Sequence, residues 1–294
     1  MAEIYTLREK CGSSPSLEAE FDPANGMALK QLKYGNHELL ETNAISSLAI
    51  SNEGAGTIIG PHFGVRNPRI LPILNHPEQW NHLQALRGQG VEDPFPHGVA
   101  RYVAWQAESN PEELKALLDG KQEAKGQELE QLEGQQFKMT STARIDGTEL
   151  QMAANVVSHA DSIIGYSFAF RLPGGKGRLV SDVADYYLEG TAKRPLPADC
   201  HYDENHCIHL DLSQPADYTF HPYLNPTRGE LNLETKECRL KLNYRCVSQE
   251  NAWQIVRPKE GSYVVIRCLS AKYPSRPTLS VSGLQVSLQV EINA

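Results

Sequence analysis

The stretch "TSTARIDGTELQMAANVV" (140–157) predicts two β-strands joined by a tight turn. Asp146 and Gly147 can supply the positive φ angles that a two-residue hairpin turn needs between strand-like runs. Similar short apolar runs recur along the chain, separated by Gly, Pro, Asn and Asp, and this spacing favours a many-stranded sandwich over alternating strands and helices. The clearest predicted strands are 17–21, 27–32, 137–145, 150–157, 207–212, 239–245, 263–269 and 284–292.

One segment, 109–136, departs from this pattern. Ser109 stands three positions before Glu112 with Pro111 between them, which is the signature of a helix start. The leucines that would share one face of this helix are Leu114, Leu117 and Leu118. The remainder is rich in Gln, Glu, Lys and Gly, so we expect a helical, charged insertion in a β domain that spans residues 1–294.

Charge and cysteine content restrict the possible partners and the compartment. The formal net charge is −8 and no run of five basic residues occurs, so we expect neither nucleic acid nor an anionic membrane surface as partner. The N-terminus has no apolar signal region, and no run of eighteen apolar residues is present. Six cysteines without a CxxC pair favour reduced thiols, and the expected location is the cytoplasm.

Candidate binding groups are concentrated in "GPHFGVRNPRI" (60–70) and "FPHGVARYVAW" (95–105). Loops on a rigid sheet scaffold commonly carry function, although these residues could equally belong to ordinary surface loops. A neutral histidine exchanges protons near pH 7, and an arginine can fork two hydrogen bonds onto vicinal hydroxyls. The candidates are His62, Arg66, Arg69, His97 and Arg101.

The order of these and other stretches resembles the aldose 1-epimerase family, most closely its hexose-6-phosphate mutarotase branch. "HGVAR" (97–101) with Trp105 is similar to that branch's "HGFAR…W", and "PHFG" (61–64) to its "P.FG". The resemblance implies a mainly β fold, a large antiparallel β-supersandwich of the galactose mutarotase type, with a small carbohydrate in an open cleft. The implied reaction interconverts sugar anomers by acid–base ring opening, with no metal or organic cofactor.

The family's functional residues match this chain unevenly. His97 matches the histidine that contacts the ring-oxygen side of the sugar, and Arg101 matches an arginine that holds substrate in the sugar-phosphate branch. The family's acid histidine falls on Ser167 in "GYSFAF", and its base glutamate falls on Arg267 in "YVVIRCL". Neither residue can perform those proton transfers near neutral pH. Glu53 stands where the branch carries a phosphate-binding arginine, and a carboxylate would repel phosphate.

A separate "HPY" occurs within "DYTFHPYLNP" (217–226). It is a chance match beside Asp217, which corresponds to a family aspartate, or else His221 completes the site with a carboxylate such as Asp217 or Glu260. The first hypothesis is therefore mutarotation with His97 and His221 as catalytic residues. Under that hypothesis the substrate-binding residues are His62, Arg66, Arg69, Arg101 and Asp217.

Two further hypotheses belong to other functional classes. The cleft could serve a non-catalytic sugar-binding or regulatory protein that has lost the acid–base pair, or segment 109–136 could capture a protein partner. A metal site in "HYDENHCIH" (201–209) is conceivable, but the spacing matches no standard zinc pattern, so we predict a polar hairpin there and no metal. No hydrolase, kinase or dehydrogenase fingerprint is present.

Overall fold

The computed structural model describes residues 3–9, 15–41, 56–110, 112–198, 200–223, 227–247, 250–272 and 280–293. The strands are β1 (Tyr5–Arg8), β2 (Leu17–Asp22), β3 (Ala28–Tyr34), β4 (His37–Glu38), β5 (Gly56–Ile59), β6 (Gln106–Ser109), β7 (Leu114–Asp119), β8 (Glu123–Ala124), β9 (Gln127–Glu128), β10 (Phe137–Asp146), β11 (Glu149–Ser158), β12 (Gly165–Arg171), β13 (Arg178–Asp182), β14 (Tyr186–Glu189), β15 (Ala192–Pro195), β16 (His201–Tyr202), β17 (Cys207–Asp211), β18 (Ala216–Phe220), β19 (Arg228–Glu234), β20 (Cys238–Cys246), β21 (Ala252–Arg257), β22 (Tyr263–Leu269) and β23 (Val281–Ile292). The described α-helices are α1 (Leu83–Gly88) and α2 (Leu129–Glu133), and short 3-10 helices cover Pro23–Asn25, Pro68–Ile70, Pro77–Gln79, Val99–Tyr102 and Pro173–Gly175.

These strands form two large antiparallel sheets. Sheet A has eleven strands in the order β1-β2-β3-β5-β12-β22-β21-β18-β14-β15, with β4 paired to β3. Sheet B has ten strands in the order β16-β17-β13-β19-β20-β23-β11-β10-β7-β6, and β8 pairs with β9 in a separate hairpin. The predicted mainly β sandwich is therefore confirmed.

The core lies between the two sheets because their strands alternate apolar and polar residues. Phe168 and Trp253 of sheet A and Tyr244 and Leu288 of sheet B belong to one buried cluster. Burial of one such side chain stabilises the fold by about 1.5–3 kcal/mol. The alternation sends the polar residues of each strand to the outer face of its sheet, where binding sites can form.

The hairpin predicted at 140–157 is confirmed, with the turn displaced by one residue. Asp146 pairs with Glu149, so Gly147 and Thr148 are the two turn residues. Gly147 has a φ of 58°, the positive angle that glycine adopts at the first turn position. The other predicted strands also coincide with observed strands.

The helix predicted from Ser109 is wrong. Its leucines lie on β7, which pairs with β10 inside sheet B. Asn110 explains the missing helix start, because its Oδ1 accepts hydrogen bonds from the backbone N–H groups of Glu112 and Glu113 and forms a turn. Leu114 and Leu118 are buried and four positions apart, a spacing that fits a strand as well as a helix. Among the described residues of the segment, only those of α2 are α-helical.

The sequence "HYDENHCIH" forms the predicted polar hairpin, in which β16 pairs with β17. Asp203 holds the turn, because its carboxylate accepts hydrogen bonds from the backbone N–H groups of Asn205 and Cys207 and lies 2.8 Å from His209 Nε2. The described residues contain no group of three His, Cys, Asp or Glu side chains arranged to hold a metal. The described helices are also all too short or too polar to cross a membrane.

Candidate functional site

His97 lies beside the C-terminal end of β5, and its backbone has an unusual conformation. Its φ is 66°, and the neighbouring Gly98 has a φ of 95°. The backbone N–H of His97 donates to the Gly64 carbonyl at 2.8 Å, and its carbonyl accepts from the Gly60 N–H at 3.0 Å. A Cβ on residue 98 would lie 1.9 Å from the Gly60 oxygen, so only glycine fits. The left-handed conformation of a non-glycine residue costs energy and often marks a functional position.

The protonation state of His97 follows from its hydrogen bond and its surroundings. The Gly64 N–H donates to His97 Nδ1 at 3.1 Å, so that nitrogen carries no proton. Burial lowers the pKa of His97 well below its usual range, and the positive charges of Arg267, Arg101 and other neighbouring groups lower it further. His97 is therefore a neutral imidazole that carries its proton on Nε2, where it acts as a hydrogen-bond donor.

An aromatic ring and a lysine adjoin His97. The Phe63 ring lies 4.8 Å from the His97 ring between centroids, and Lys272 Nζ lies 4.7 Å from the Phe63 centroid. Burial and the charge of Arg267 lower the pKa of Lys272, while Asp217 opposes that shift. The region around His97 thus combines an apolar ring face with cationic groups, an arrangement that suits a ligand with an apolar face and polar edges.

A row of polar side chains crosses the outer face of sheet A in the same region. Ser167 of β12 pairs with Thr57 of β5 and with Arg267 of β22, and Arg267 pairs with Gln254 of β21, which pairs with Thr219 of β18. Paired residues point to the same face of a sheet, so these five side chains share one surface. Ser167, Thr57 and Thr219 are buried, whereas Gln254 and Arg267 are partly exposed.

Arg267 is tied to Asp217 through Gln254. Arg267 Nη1 donates to Gln254 Oε1 at 3.0 Å, and Gln254 Nε2 donates to Asp217 Oδ1 at 3.1 Å. The amide therefore has a fixed orientation, since its oxygen faces the cation and its nitrogen faces the anion. Asp217, predicted as a substrate-binding residue, lies at the exposed end of this hydrogen-bonded chain.

Arg66 lies against protein groups. Its guanidinium forms a 2.7 Å ion pair with Asp93, a carboxylate that is fully buried. Arg66 Nη1 also donates to the carbonyl oxygens of Leu132 and Glu133 at 2.9 and 3.0 Å. These bonds join the 60–70 loop to α2, so the geometry gives Arg66 a role in positioning the loop.

His62 belongs to the same buried ionic group. His62 Nδ1 lies 2.6 Å from Glu133 Oε1, and Nε2 lies 3.6 Å from Asp93 Oδ2. The other oxygen of Glu133 accepts from the Val99 N–H at 3.1 Å. Burial alone would lower the pKa of His62, but the charge of Glu133 and the hydrogen bonds to Asp93 and Glu133 raise it to about 9. His62 is therefore a buried cation near neutral pH.

The remaining predicted residues occupy different positions. Arg69 is exposed in a 3-10 helix, and its guanidinium contacts none of the described side chains through a hydrogen bond or salt bridge. Arg101 is fully buried, and its guanidinium lies 5.6 Å from the Tyr102 ring centroid. Glu260 is exposed in the connection between β21 and β22, and Glu53 lies outside the described residues.

His221 shares the outer face of sheet A but lies far from Ser167. It directly follows β18, which is three strand spacings, or about 14 Å, from β12. His221 Nδ1 donates to the Asn251 carbonyl at 2.7 Å, and burial lowers the pKa of His221. His221 is therefore neutral, with an unprotonated Nε2 that can accept a proton. No hydrogen bond or ring contact between described residues joins it to His97.

Sequence reasoning missed Phe63, Lys272 and Gln254, as well as both carboxylates of the ionic group, Asp93 and Glu133. Gln254 did leave a signal, because it is the one polar residue in "AWQIV" (252–256), as Arg267 is in "VVIRCL" (264–269). A lone polar side chain within an apolar strand needs a partner. No comparable local signal exists for Glu133, which lies 71 positions from His62 along the chain.

Comparisons with known proteins give the fold independently. The chain matches no protein family profile and no curated protein. Solved structures match it over nearly its whole length. A protein of Synechocystis sp. PCC 6803 is 15% identical with a TM-score of 0.69, covering 100% of this chain and 97% of that one. A galactose mutarotase-like protein of Lactobacillus casei is 13% identical with a TM-score of 0.63, covering 99% and 100%.

A third solved structure, a galactose mutarotase related enzyme of Lactobacillus acidophilus, is 14% identical with a TM-score of 0.65 and covers 98% of this chain and 97% of that one. At such low identity the likeness shows the fold alone. The chain has the β-sandwich fold of these galactose mutarotase-like structures, as the resemblance implied.

Proposed function

We propose that this protein binds a small carbohydrate on the outer face of sheet A, in a cleft that His97, Phe63, Arg267 and Lys272 would form, without catalysing a reaction on it. The observation that carries the proposal is the protonation state of His97 beside Arg267. His97 offers an N–H to the ligand, and Arg267, paired with Ser167, occupies the position where the family resemblance implies a proton acceptor. Phe63 supplies an apolar ring that can stack on a pyranose face.

Anomer interconversion needs a base as well as an acid. The base removes the C1 hydroxyl proton while the acid protonates the ring oxygen, and the open aldehyde then closes on its other face with both transfers reversed. Arg267 and Lys272 are donors, and Asp217 is already engaged by Gln254. The cleft is therefore better equipped to hold sugar hydroxyls and the ring oxygen than to remove a proton.

Mutarotation with His97 and His221 is the second candidate. The observation in its favour is the orientation of His221, whose Nδ1 donates to Asn251 and whose Nε2 is left as an acceptor. For this mechanism both histidines must reach the same pyranose within hydrogen-bond distance. His97 is bonded to Gly60 at the end of β5, which is four strand spacings, or about 19 Å, from β18, and this separation makes mutarotation the weaker candidate.

One experiment separates the two candidates. Ligand-observed NMR would measure binding of glucose and galactose, and exchange NMR on the same samples would measure anomer interconversion above the spontaneous rate. We expect binding that Arg267→Ala and His97→Ala weaken, with no acceleration. Acceleration that both His97→Ala and His221→Ala remove would establish the second candidate instead. Absence of both binding and acceleration across these sugars would refute both.

We also propose that the ligand is a hexose phosphate, as in the sugar-phosphate branch of the family. The hexose-6-phosphate branch is suggested by "HGVAR" and "PHFG", and comparison of glucose with glucose 6-phosphate in the binding experiment tests it. We also propose one domain over residues 1–294, a cytoplasmic location, and no nucleic-acid or membrane partner. The acidic net charge supports the exclusion of nucleic acid.

A further inference from the structure

A large cavity in the described part of the chain lies on sheet B, away from His97. It is an open groove of about 900 Å³ formed by side chains of β10, β11, β13, β19, β20 and β23. Most of its lining residues are the outward-facing, partly exposed members of those strands, while alternate residues such as Tyr244 and Val286 are buried in the core. A pocket of this size accommodates a small-molecule ligand.

A row of hydrogen-bonding side chains crosses the middle of the groove, and its central members are uncharged. Glu230 of β19 pairs with Asn243 of β20, Asn243 with Ser287 of β23, and Ser287 with Gln151 of β11. Gln151 pairs in turn with Arg144, whose Nε donates to its side-chain oxygen at 2.8 Å. The register therefore places an amide and a hydroxyl side by side at the centre of the floor, where they can donate to and accept from a hydroxylated ligand.

Two arginines oppose each other at one end of the groove. Arg228 of β19 pairs directly with Arg245 of β20, and Arg245 pairs with Gln285 of β23. Like charges directly opposite each other destabilise a sheet. Asp182 and Glu230 interact favourably with the charge of Arg228, and an anion bound between the two arginines would also relieve the repulsion at Arg245. Across the described ranges neither guanidinium forms a hydrogen bond or a salt bridge with a protein group, so both forks are available to a ligand.

Carboxylates occupy the adjoining part of the groove. Glu230 is bound by Asn232 at 3.2 Å and by Lys241 at 3.0 Å, and these neighbours lower the pKa of Glu230 against the effect of burial. Asp182, on the neighbouring strand, has its pKa raised by burial. These carboxylates can accept hydrogen bonds from ligand hydroxyls, whereas they would repel an anionic group.

We propose that this groove is a second binding site, for a polyhydroxylated ligand that carries one anionic group. The anion lies between Arg228 and Arg245, because forked guanidinium donors match the geometry of carboxylate and phosphate oxygens. The hydroxyls lie over Asn243 and Ser287 and extend toward Glu230. A sugar acid and a sugar phosphate share this chemistry. The inference is independent of the function proposed for the His97 cleft, which lies on the other sheet.

The test is calorimetric titration of the full chain with gluconate, glucose 6-phosphate, glucose and inorganic phosphate. We expect at least one of the two anionic sugars to bind more tightly than both glucose and inorganic phosphate. The one that binds identifies the anion as carboxylate or phosphate. Binding of neither anionic sugar, or equal affinity for inorganic phosphate, would overturn the proposal.

Two arginine variants test whether the anionic sugar binds in the groove. Arg245→Ala should weaken binding of the anionic sugar about tenfold or more, since a charge-assisted fork is lost. Arg239→Ala is the matched control, because Arg239 lies on the same strand, outside the groove, and is paired with Glu234 and Glu291. Affinity unchanged in Arg245→Ala, or weakened equally in Arg239→Ala, would contradict the assignment.

Two further variants separate the groove from the His97 cleft and from misfolding. Arg267→Ala alters the cleft on sheet A, so any binding that this variant weakens is assigned to the cleft; if it abolishes the anionic-sugar binding that Arg245→Ala weakens, the groove proposal fails. Asn243→Ala should reduce the preference for the sugar over inorganic phosphate, and an unchanged preference would refute the role of the groove floor. Thermal unfolding midpoints close to wild type show that each variant is folded.

Discussion

The buried ionic group of His62, Asp93, Arg66 and Glu133 predicts a specific dependence of stability on pH. His62 has a pKa of about 9 in the folded protein, against about 6.5 in an unfolded chain. The change to make is His62→Gln, which removes the titrating group and keeps an amide that can donate to Glu133. The side chain of His62 is only 16% exposed, so solvent screens this interaction little.

The magnitude follows from the two pKa values. A difference of about 2.5 pKa units corresponds to about 3 kcal/mol of stability. Because the folded-state pKa is the higher one, this contribution is fully present below about pH 6.5 and is lost as the pH rises toward about 9. The free energy of unfolding of the wild type should therefore fall, relative to that of His62→Gln, by about 3 kcal/mol between pH 6 and pH 9.5.

Other titrating groups do not produce the same signature. Burial lowers the pKa of His82, His97 and His221, so their contributions to stability change below about pH 6.5 and in the opposite direction. The buried thiols of Cys238 and Cys268 have raised pKa values and destabilise the folded state only at alkaline pH. The histidine contributions change below the pH range in which His62 loses its proton, and the thiol contributions are common to the wild type and the variant, so neither produces the expected difference.

The assay is urea unfolding of both proteins at half-unit pH intervals, with the free energy obtained by linear extrapolation. A parallel pH dependence of the two proteins from pH 6.5 to 9.5 would refute a protonated, partnered His62. Arg69→Gln serves as the control, because Arg69 lies in the same loop and is exposed. Its curve should follow that of the wild type across the whole range.

Three other predictions concern the fold and His97. Gly98→Ala should lower stability by at least about 1–3 kcal/mol in thermal unfolding, because the new Cβ meets the Gly60 carbonyl and the φ of 95° is unfavourable for alanine; an unchanged midpoint would contradict this. Leu118→Ala should cost about 2–5 kcal/mol and Lys115→Ala less than about 0.5 kcal/mol in urea unfolding, because β7 buries the first and exposes the second; equal costs would argue against the strand. Nitrogen-15 NMR should show His97 neutral and protonated on Nε2 at pH 6, and a charged ring at that pH would disprove the tautomer.

The β architecture could be predicted because its signals are local. Strands such as 137–145 alternate apolar and polar residues, and a glycine marks the turn that follows. Segment 109–119 was predicted wrongly because its signal is also local: the spacing of Leu114 and Leu118 fits a helix as well as a strand. The pairing of β7 with β10, a contact between distant parts of the chain, makes it a strand. The side chain of Asn110, which forms a turn where a helix cap was expected, carries no distinct sequence signal.

The candidate site was only partly predictable, because its charges come from distant segments. The 60–70 and 95–105 loops were identified from composition, and the structure does bring His97 close to Phe63. It also gives His62 and Arg66 partners, Glu133 and Asp93, that no pattern connects to them. Composition can locate histidines and arginines in loops, but only the fold determines which of them face a ligand and which hold the loops together.

Arg267 affects both the charge state of groups near His97 and the supply of a proton acceptor there. Its charge helps to lower the pKa of His97 and of Lys272, and its side chain orients Gln254 toward Asp217. A carboxylate at this position would act in the opposite direction, because it would raise the pKa of His97 and offer a proton acceptor in the same sheet row. The identity of residue 267 thus affects two properties together, the charge state of His97 and the presence of a base. Proton transfer would need a different charge state of His97 and a base at position 267. Hydrogen bonding to a sugar needs neither of these changes.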